Sequence, residues 1–221
     1  MRPYVLINSA MSADGKISTV ARKQVRISGE NDLQRVDALR ARFDAVMVGV
    51  GTVLADDPKL TIKSQALKRQ RADQGRTENP LRIVVDSRAR IPSNAAVLGP
   101  NALVATSKRA PRKSVEELKN KAELLVVGEN KVDLAALFEC LKDRGVESVL
   151  VEGGATLNFA LLRLGLVDAI YTFIGNIIIG GSDAPTLADG EGLRDDFVKL
   201  NLQEIRQIDD GVLIKWRIVG L

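Results

Sequence analysis

Three segments of the chain place carboxylates, glycines and hydroxyls where an anion or a polar ligand can be held. Each follows an apolar run that reads as a strand. The first is Gly49-Val50-Gly51-Thr52, continuing into Leu54-Ala55-Asp56-Asp57-Pro58. Two glycines after a buried strand permit a tight turn and a close backbone approach to a ligand. Amides at the start of the following helix can face an anion. Leu54 stands where the dinucleotide fingerprint would have its third glycine, so taken alone the pair reads as a strand-to-helix turn. Asp56 and Asp57 can cap, bind a metal or contact a ligand, and two adjacent carboxylates do not by themselves make a metal site.

The second segment is Glu152-Gly153-Gly154-Ala155-Thr156, where a strand ends in a carboxylate and a double glycine opens a helix. Bare amides at a positive helix end suit a pyrophosphate. Glu152, just before that anion site, is placed to hydrogen-bond a polar substrate instead; an exposed glutamate beside an ordinary helix start is the competing reading. The third is Asp86-Ser87-Arg88, with Arg90 nearby. An acid at a strand end can bond a ribose, and an adjacent arginine can hold a 2′-phosphate; a plain turn with surface arginines is the alternative. A fourth segment, residues 8–17, reads NSAMSADGKI. Its Asp14-Gly15 is a turn signal, and Asn8 inside the strand either points into a cleft or is a satisfied polar core residue.

The elements that position these residues alternate. Strands are expected at 4–10, 44–49, 81–86, 102–106, 123–127, 148–151, 167–174 and 212–219. Helices are expected at 32–43 with Ser28 as N-cap and Leu33, Val36, Leu39 and Phe43 on the apolar face, then from Gly51, at 114–121, at 134–142 ended by Gly145, and from the double glycine through Leu164. Residues 63–80 are polar and basic and read as an exposed loop. The pattern predicts one α/β domain over 1–221, with a mostly parallel central sheet, helices on both faces and an antiparallel C-terminal edge.

Bulk composition narrows the chemistry. Of 221 residues, 45% are apolar but only 4% aromatic, so the core must rest on aliphatic side chains. The net charge of +4 suits a phosphorylated small molecule. Scattered basic residues with few aromatics argue against nucleic acid. The most apolar stretch, 157–181, is broken by Arg163, Asp168 and Asn176, which argues against a membrane span. The chain has no histidine, which excludes a Ser-His-Asp triad and most zinc sites, so no metal is expected. The single cysteine, Cys140, reads as a small buried hydrophobe and cannot form an internal disulfide; a cytoplasmic protein follows most simply.

Taken together, SADGKI, LRARFDAVMVGVGTVLADDPKLTIK, LRIVVDS and VLVEGGATLN resemble the riboflavin-biosynthesis reductases over most of the chain, from about Tyr4 to beyond Gly180. That resemblance implies a dihydrofolate-reductase-like fold, NADPH as hydride donor and a ribosylaminopyrimidinone 5′-phosphate as substrate. It assigns Thr52 and Asp56 to the cofactor, with Ser87 a weaker match, and Gly154, Ala155 and Thr156 to its pyrophosphate; Gly51, Asp86 and Gly153 join the cofactor side from the glycine turns and the strand end read above. Arg40, Leu60 and Lys63 match substrate contacts and Glu152 the carboxylate that faces the substrate; Asn8 joins the substrate side from its place in the first strand, and Glu152 is the candidate catalytic residue, with Asp56 or water as alternative proton sources. A lysine at position 63, where bacterial members carry arginine, keeps the charge but loses the bidentate fork. The chain lacks the His/Cys zinc motif of the bifunctional deaminase-reductases. It therefore resembles the stand-alone archaeal and fungal enzymes, which reduce the 2,5-diamino compound before deamination and are commonly homodimers. Reduction of the deaminated pyrimidinedione or of a pterin or folate, and nucleotide binding without catalysis, are the alternatives.

Overall fold

The computed structural model describes residues 1–23 and 25–220. In chain order the elements are β1 (Tyr4–Met11), α1 (Glu30–Arg42), β2 (Ala45–Gly49), α2 (Val50–Asp56), α3 (Gln65–Asp73), β3 (Leu81–Val85) and β4 (Ala102–Thr106). They continue with α4 (Arg112–Leu118), β5 (Glu123–Val126), α5 (Leu134–Asp143), β6 (Ser148–Val151), α6 (Ala155–Arg163), β7 (Ala169–Ile174), β8 (Lys199–Ile208) and β9 (Gly211–Gly220). Two compact units emerge, each discontinuous in sequence: Met1–Pro3 with Asp37–Leu150, and Tyr4–Val36 with Val151–Leu221.

The first unit orders its strands β5-β4-β3-β2-β6. The β2–β3, β3–β4 and β4–β5 pairs are parallel. Val46, Met47, Val48, Ile83, Leu103 and Val104 are completely buried. Strands without a polar alternate face are what a parallel sheet covered on both sides requires, which is why these runs are legible as unbroken aliphatic stretches. Beneath them, α5 contributes Leu137, Phe138 and Leu141, all fully buried, and Asp133 caps its first turn by accepting from Ala136 N at 3.0 Å. Cys140 on the same helix is half-buried rather than part of this core.

In the second unit β1 and β7 run parallel, while β9 is antiparallel to both β7 and β8. The expected antiparallel C-terminal edge is therefore present, with one strand more than the sequence suggested. β8 escaped because its apolar residues change phase: Leu200 and Leu202 alternate, the register then slips between Leu202 and Glu204, and Ile205 falls out of step. A bulge of this kind destroys the period-two pattern by which an exposed strand is recognised.

Three further expectations are corrected. Residues 63–80 are not one loop, since α3 occupies Gln65–Asp73 with Ser64 as its N-cap. No apolar stripe marks this helix because its anchor is an arginine. Arg71 is 3% exposed and donates to the carbonyls of Ala41 and Phe43, each at 2.9 Å, and of Thr77 at 2.8 Å. Ser28 does not cap α1, which begins at Glu30; the Ser28 hydroxyl donates to Asp32 at 2.6 Å, and the cap comes from Asp209, which accepts from Asp32 N at 3.1 Å and Asn31 N at 3.4 Å. Leu33, expected on the apolar face of α1, is 43% exposed, whereas Leu39 and Phe43 are buried.

Removing Arg71 takes one donor from each of three carbonyls, two of those bonds being buried. Arg71→Leu is expected to lower unfolding stability by about 3 kcal/mol, at 1–3 kcal/mol for each buried group left unsatisfied and some of it recovered by water. Urea unfolding measures this; a loss below about 1 kcal/mol would show that α3 is anchored by something else.

Candidate active site

In the first unit the candidate residues gather along one face of α1 and the segment after α2. Asp37 is 8% exposed, and its carboxylate accepts from Lys63 N at 2.7 Å and Ser64 N at 2.9 Å. Arg40, three residues on and so on the same helix face, donates from Nη1 to the Thr61 carbonyl at 3.0 Å. Asn79 holds Ile62 N at 2.8 Å. These bonds fix a segment that starts at a strained residue: Leu60 has φ 54, a left-handed conformation that leucine rarely adopts. Leu60 as a whole residue is 2% exposed. Arg40 and Lys63 are thereby tied to one short stretch of chain, Arg40 half-buried and the Lys63 side chain exposed.

The glycine turn after β2 opens directly into α2, with Gly49 as an N-cap that has no side-chain bond. A methyl group added at Gly51 would meet nothing within 4 Å, so that glycine leaves open space beside Thr52. The two aspartates that close the helix separate in role. Asp57 adopts φ 40 and accepts from Ala96 N at 2.7 Å, which makes it a structural cap. Asp56 is exposed at the surface, yet desolvation by the neighbouring chain raises its carboxyl pKa above the ordinary value.

Asp86 does not sit as the ribose-binding reading requires. Its side chain is fully buried and accepts from the backbone amides of Arg88, Arg90 and Ile91, with the Arg90 guanidinium 3.6 Å away. The carboxylate is consumed in shaping its own turn. Ser87 beside it is half-buried and accepts from Val132 N at 2.9 Å.

In the second unit Gly153 has φ 107, the Gly153–Gly154 peptide bond is cis, and Gly154 is the N-cap of α6 without a side-chain cap. No acid lies in the first turn of α6. A helix start with neither cap nor acid keeps its amides and positive end unneutralised. Ala155 is buried, Thr156 is exposed and Glu152 is half-buried. The segment after β7 is seated on this helix: Asp189 N donates to the Ala155 carbonyl at 3.2 Å, and Asn158 donates to the Leu187 carbonyl at 2.8 Å. Asn8 on β1 is 7% exposed and accepts from Arg35 Nη1 at 2.8 Å.

The sequence from residue 3 to 214 matches the model of the RibD C-terminal domain. The chain belongs to the RibD C-terminal domain family. A relative from Archaeoglobus fulgidus, named 2,5-diamino-6-ribosylamino-4(3H)-pyrimidinone 5′-phosphate reductase, is 50% identical over 98% of this chain and 99% of its own. Among solved structures, a pyrimidine reductase-like protein from Corynebacterium diphtheriae aligns with TM-score 0.82 at 19% identity, covering 98% of this chain and 92% of that one. Dihydrofolate reductase from Enterococcus faecalis aligns with TM-score 0.51 at 11% identity, covering 97% and 96%. The fold of this RibD C-terminal domain is thus dihydrofolate-reductase-like, as the motifs implied.

Several residues that shape the domain gave no signal in the sequence: Asp37, Arg35, Asp209 and Asn158 are polar side chains whose partners lie far along the chain or in the backbone. One clasp involves a residue that did. Asp14, read as a turn former, accepts from the Ser12 hydroxyl, from Ile179 N at 3.1 Å and from Gly180 N at 2.7 Å. The Ser12 hydrogen bond foremost, then those two amides, lower its pKa from 3.8 to about 2. A depressed folded-state pKa stabilises above the unfolded value, and that contribution disappears as pH falls through about 2. A carboxyl-carbon NMR titration is expected to place the Asp14 midpoint near 2, with Asp14→Asn flattening the acid limb of stability; a midpoint at the ordinary aspartate value would remove the clasp.

Proposed function

We propose that this domain catalyses NADPH-dependent reduction of the ribosyl side chain of 2,5-diamino-6-ribosylamino-4(3H)-pyrimidinone 5′-phosphate to the ribitylamino product. The observation that carries the reading is the half-identical, full-length archaeal relative that bears the name of that reductase. Within the chain, the uncapped start of α6 is the feature that fits a dinucleotide, because its amides and positive end match a pyrophosphate. Gly153, Gly154, Ala155 and Thr156 would hold that group, while Gly51, Thr52, Asp56 and Ser87 would hold the remainder of NADPH. Bound NADPH supplies the hydride, delivered to C1′ of the ring-opened ribosylamine.

The residues then have to bind, orient and move one proton. Arg40 and Lys63, held on the segment that Asp37 secures, would bind the 5′-phosphate, Arg40 through its fork and Lys63 as a point charge. Leu60 and the Asn8 amide would contact the substrate body. Adding hydride to the C1′=N bond requires a proton at nitrogen, and Glu152 is our assignment as its source. Asp56 offers a second reading, favoured by its raised pKa, since a carboxyl lifted by desolvation is protonated over a wider range. A cytoplasmic enzyme and a homodimer complete the proposal. The dimer is supported by the exposed edge strand β8, where Leu200, Leu202 and Ile205 are 41%, 45% and 62% exposed. No described helix is long and apolar enough to cross a membrane.

NADPH oxidation with the diamino and the deaminated substrates compared side by side, and with dihydrofolate as a third arm, tests the reading. Faster oxidation with the diamino compound is expected; oxidation with neither pyrimidine would sink it. Lys63→Ala and Arg40→Ala are each expected to raise the KM for the phosphorylated substrate roughly tenfold or more, as the loss of a hydrogen bond to a charged group implies. Glu152→Gln is expected to lower kcat, and unchanged turnover would transfer the proton to Asp56 or water.

A further inference from the structure

Asn8, Arg35, Asp32 and Ser28 form one continuous polar network in the second unit. Asp32 is fully buried, and its two oxygens are both taken, one by Arg35 Nε at 2.7 Å and the other by the Ser28 hydroxyl at 2.6 Å. Arg35 then donates from Nη1 to Asn8 Oδ1 at 2.8 Å. A guanidinium has only donors, so the group it faces on Asn8 must be the carbonyl oxygen. The orientation of the Asn8 amide is therefore settled by chemistry: oxygen toward Arg35, nitrogen away from it.

The network also ends with donors to spare. Among the described residues, the buried side-chain atoms without a partner are Arg35 Nη2, Arg82 Nε, Thr106 Oγ1 and Asn158 Oδ1. Asn8 Nδ2 is not one of these and has no acceptor among the described residues, so it reaches the surface through the 7% of Asn8 that stays exposed. Two nitrogens at one end of the network thus offer hydrogens, while the Asp32 oxygens and Asn8 Oδ1 already accept. Fully matched polar groups are the rule in folded chains, and a donor surplus at one place marks where an acceptor from outside the chain belongs.

We infer that Arg35 is a positioning residue that locks Asn8 to present only N–H donors, so that Asn8 selects a ligand atom which accepts, a carbonyl oxygen or an unprotonated ring nitrogen. The inference rests on the reductase reading for the identity of that ligand, the heterocycle of the reduced substrate. Asp32 serves by neutralising Arg35 and fixing its plane through Nε. Ser28 fills the last carboxylate position.

Steady-state kinetics at saturating NADPH test it with Asn8→Ala, Asn8→Asp, Arg35→Met and the Asn8→Ala/Arg35→Met pair. Asn8→Ala is expected to raise the substrate KM roughly tenfold, the effect of one hydrogen bond left unmade in a desolvated site, with little change in kcat. Asn8→Asp should do at least as much harm, because it offers an acceptor in place of the donor. Arg35→Met should match Asn8→Ala, and the double variant should be no worse than either single, since both remove the same contact. Additive effects, or an unchanged KM for Asn8→Ala, would overturn the proposal. Arg35→Lys keeps the charge beside Asp32 and replaces Arg35→Met where that variant does not fold; it too should raise KM. A readout without ligand separates the two claims. With asparagine side chains labelled with nitrogen-15, the Asn8 amide protons are expected to shift and exchange faster in the Arg35 variant. Unchanged resonances overturn the locking itself. Absence of turnover by the unaltered protein would instead remove the reductase reading, and with it the assigned ligand.

Discussion

The carboxylate of Asp37 carries the segment on which half of the candidate site depends. Leu60 occupies a left-handed conformation that costs about 1–2 kcal/mol for a residue with a side chain. Something must hold it there. Asp37 accepts from two consecutive amides, Lys63 N and Ser64 N, and a hydrogen bond to a charged group contributes about 1.5–3 kcal/mol. Two such bonds exceed the strain at Leu60 before Arg40 and Asn79 are considered. Because Ser64 is also the N-cap of α3, the same carboxylate fixes where that helix begins. Arg40 lies three residues beyond Asp37 on α1 and grips the carbonyl of Thr61. One helix face thus supplies both an anion that shapes the backbone and a cation that the shaped backbone orients.

The second unit uses the same device at the other end of α1. Asp209, in the turn between β8 and β9, accepts from the first amides of the helix and so sets the position of Asp32 and Arg35 along it. A methyl group at Gly29 would fall 2.4 Å from the Asp209 carboxylate, so only glycine allows the turn to come this close. Burying Asp32 completely would be costly were its charge not met by Arg35 and its remaining oxygen by Ser28. The buried pair is better understood as an aligning element than as a source of stability, because an apolar pair of similar volume would fill the space at less desolvation cost.

Which parts were legible follows from what each residue exchanges with its neighbours. The parallel strands declare themselves because burial on both faces demands unbroken aliphatic runs, as in DAVMVG and LRIVV. The double glycine before α6 is legible because its φ of 107 at Gly153 admits no other residue comfortably. By contrast α3 is held by a buried arginine, and composition treats an arginine as surface. β8 hides behind a register slip, and the α1 cap comes from a residue some 177 positions away, a relation no local pattern encodes. Arg40 and Lys63, proposed for the substrate, stand out only through family motifs, while Asp37, whose carboxylate holds the backbone at Lys63 and Ser64, has no sequence pattern that distinguishes it from other charges on a helix.

Asp86 and Glu152 show how far the sequence alone could discriminate between two carboxylates at strand ends. Both follow a run of aliphatic residues, and both precede a turn. After Asp86 the chain curls back on itself, with Ala89 at φ 49, so that the amides of Arg88, Arg90 and Ile91 converge on the acid they have just left. Those donors and that carboxylate cancel one another, and nothing is left for a ligand. After Glu152 two glycines carry the chain straight into α6, and no side chain or acid turns back to cap its first amides. An uncapped helix start of this kind keeps its positive end unneutralised. The distinction lies in the residues after the acid: a turn built of side-chain-bearing residues closes its amides on its carboxylate, whereas the glycine turn leads into a helix whose first turn has no side-chain cap and no acid. A candidate strand end is therefore better judged by whether the helix that follows it starts uncapped than by the presence of a carboxylate.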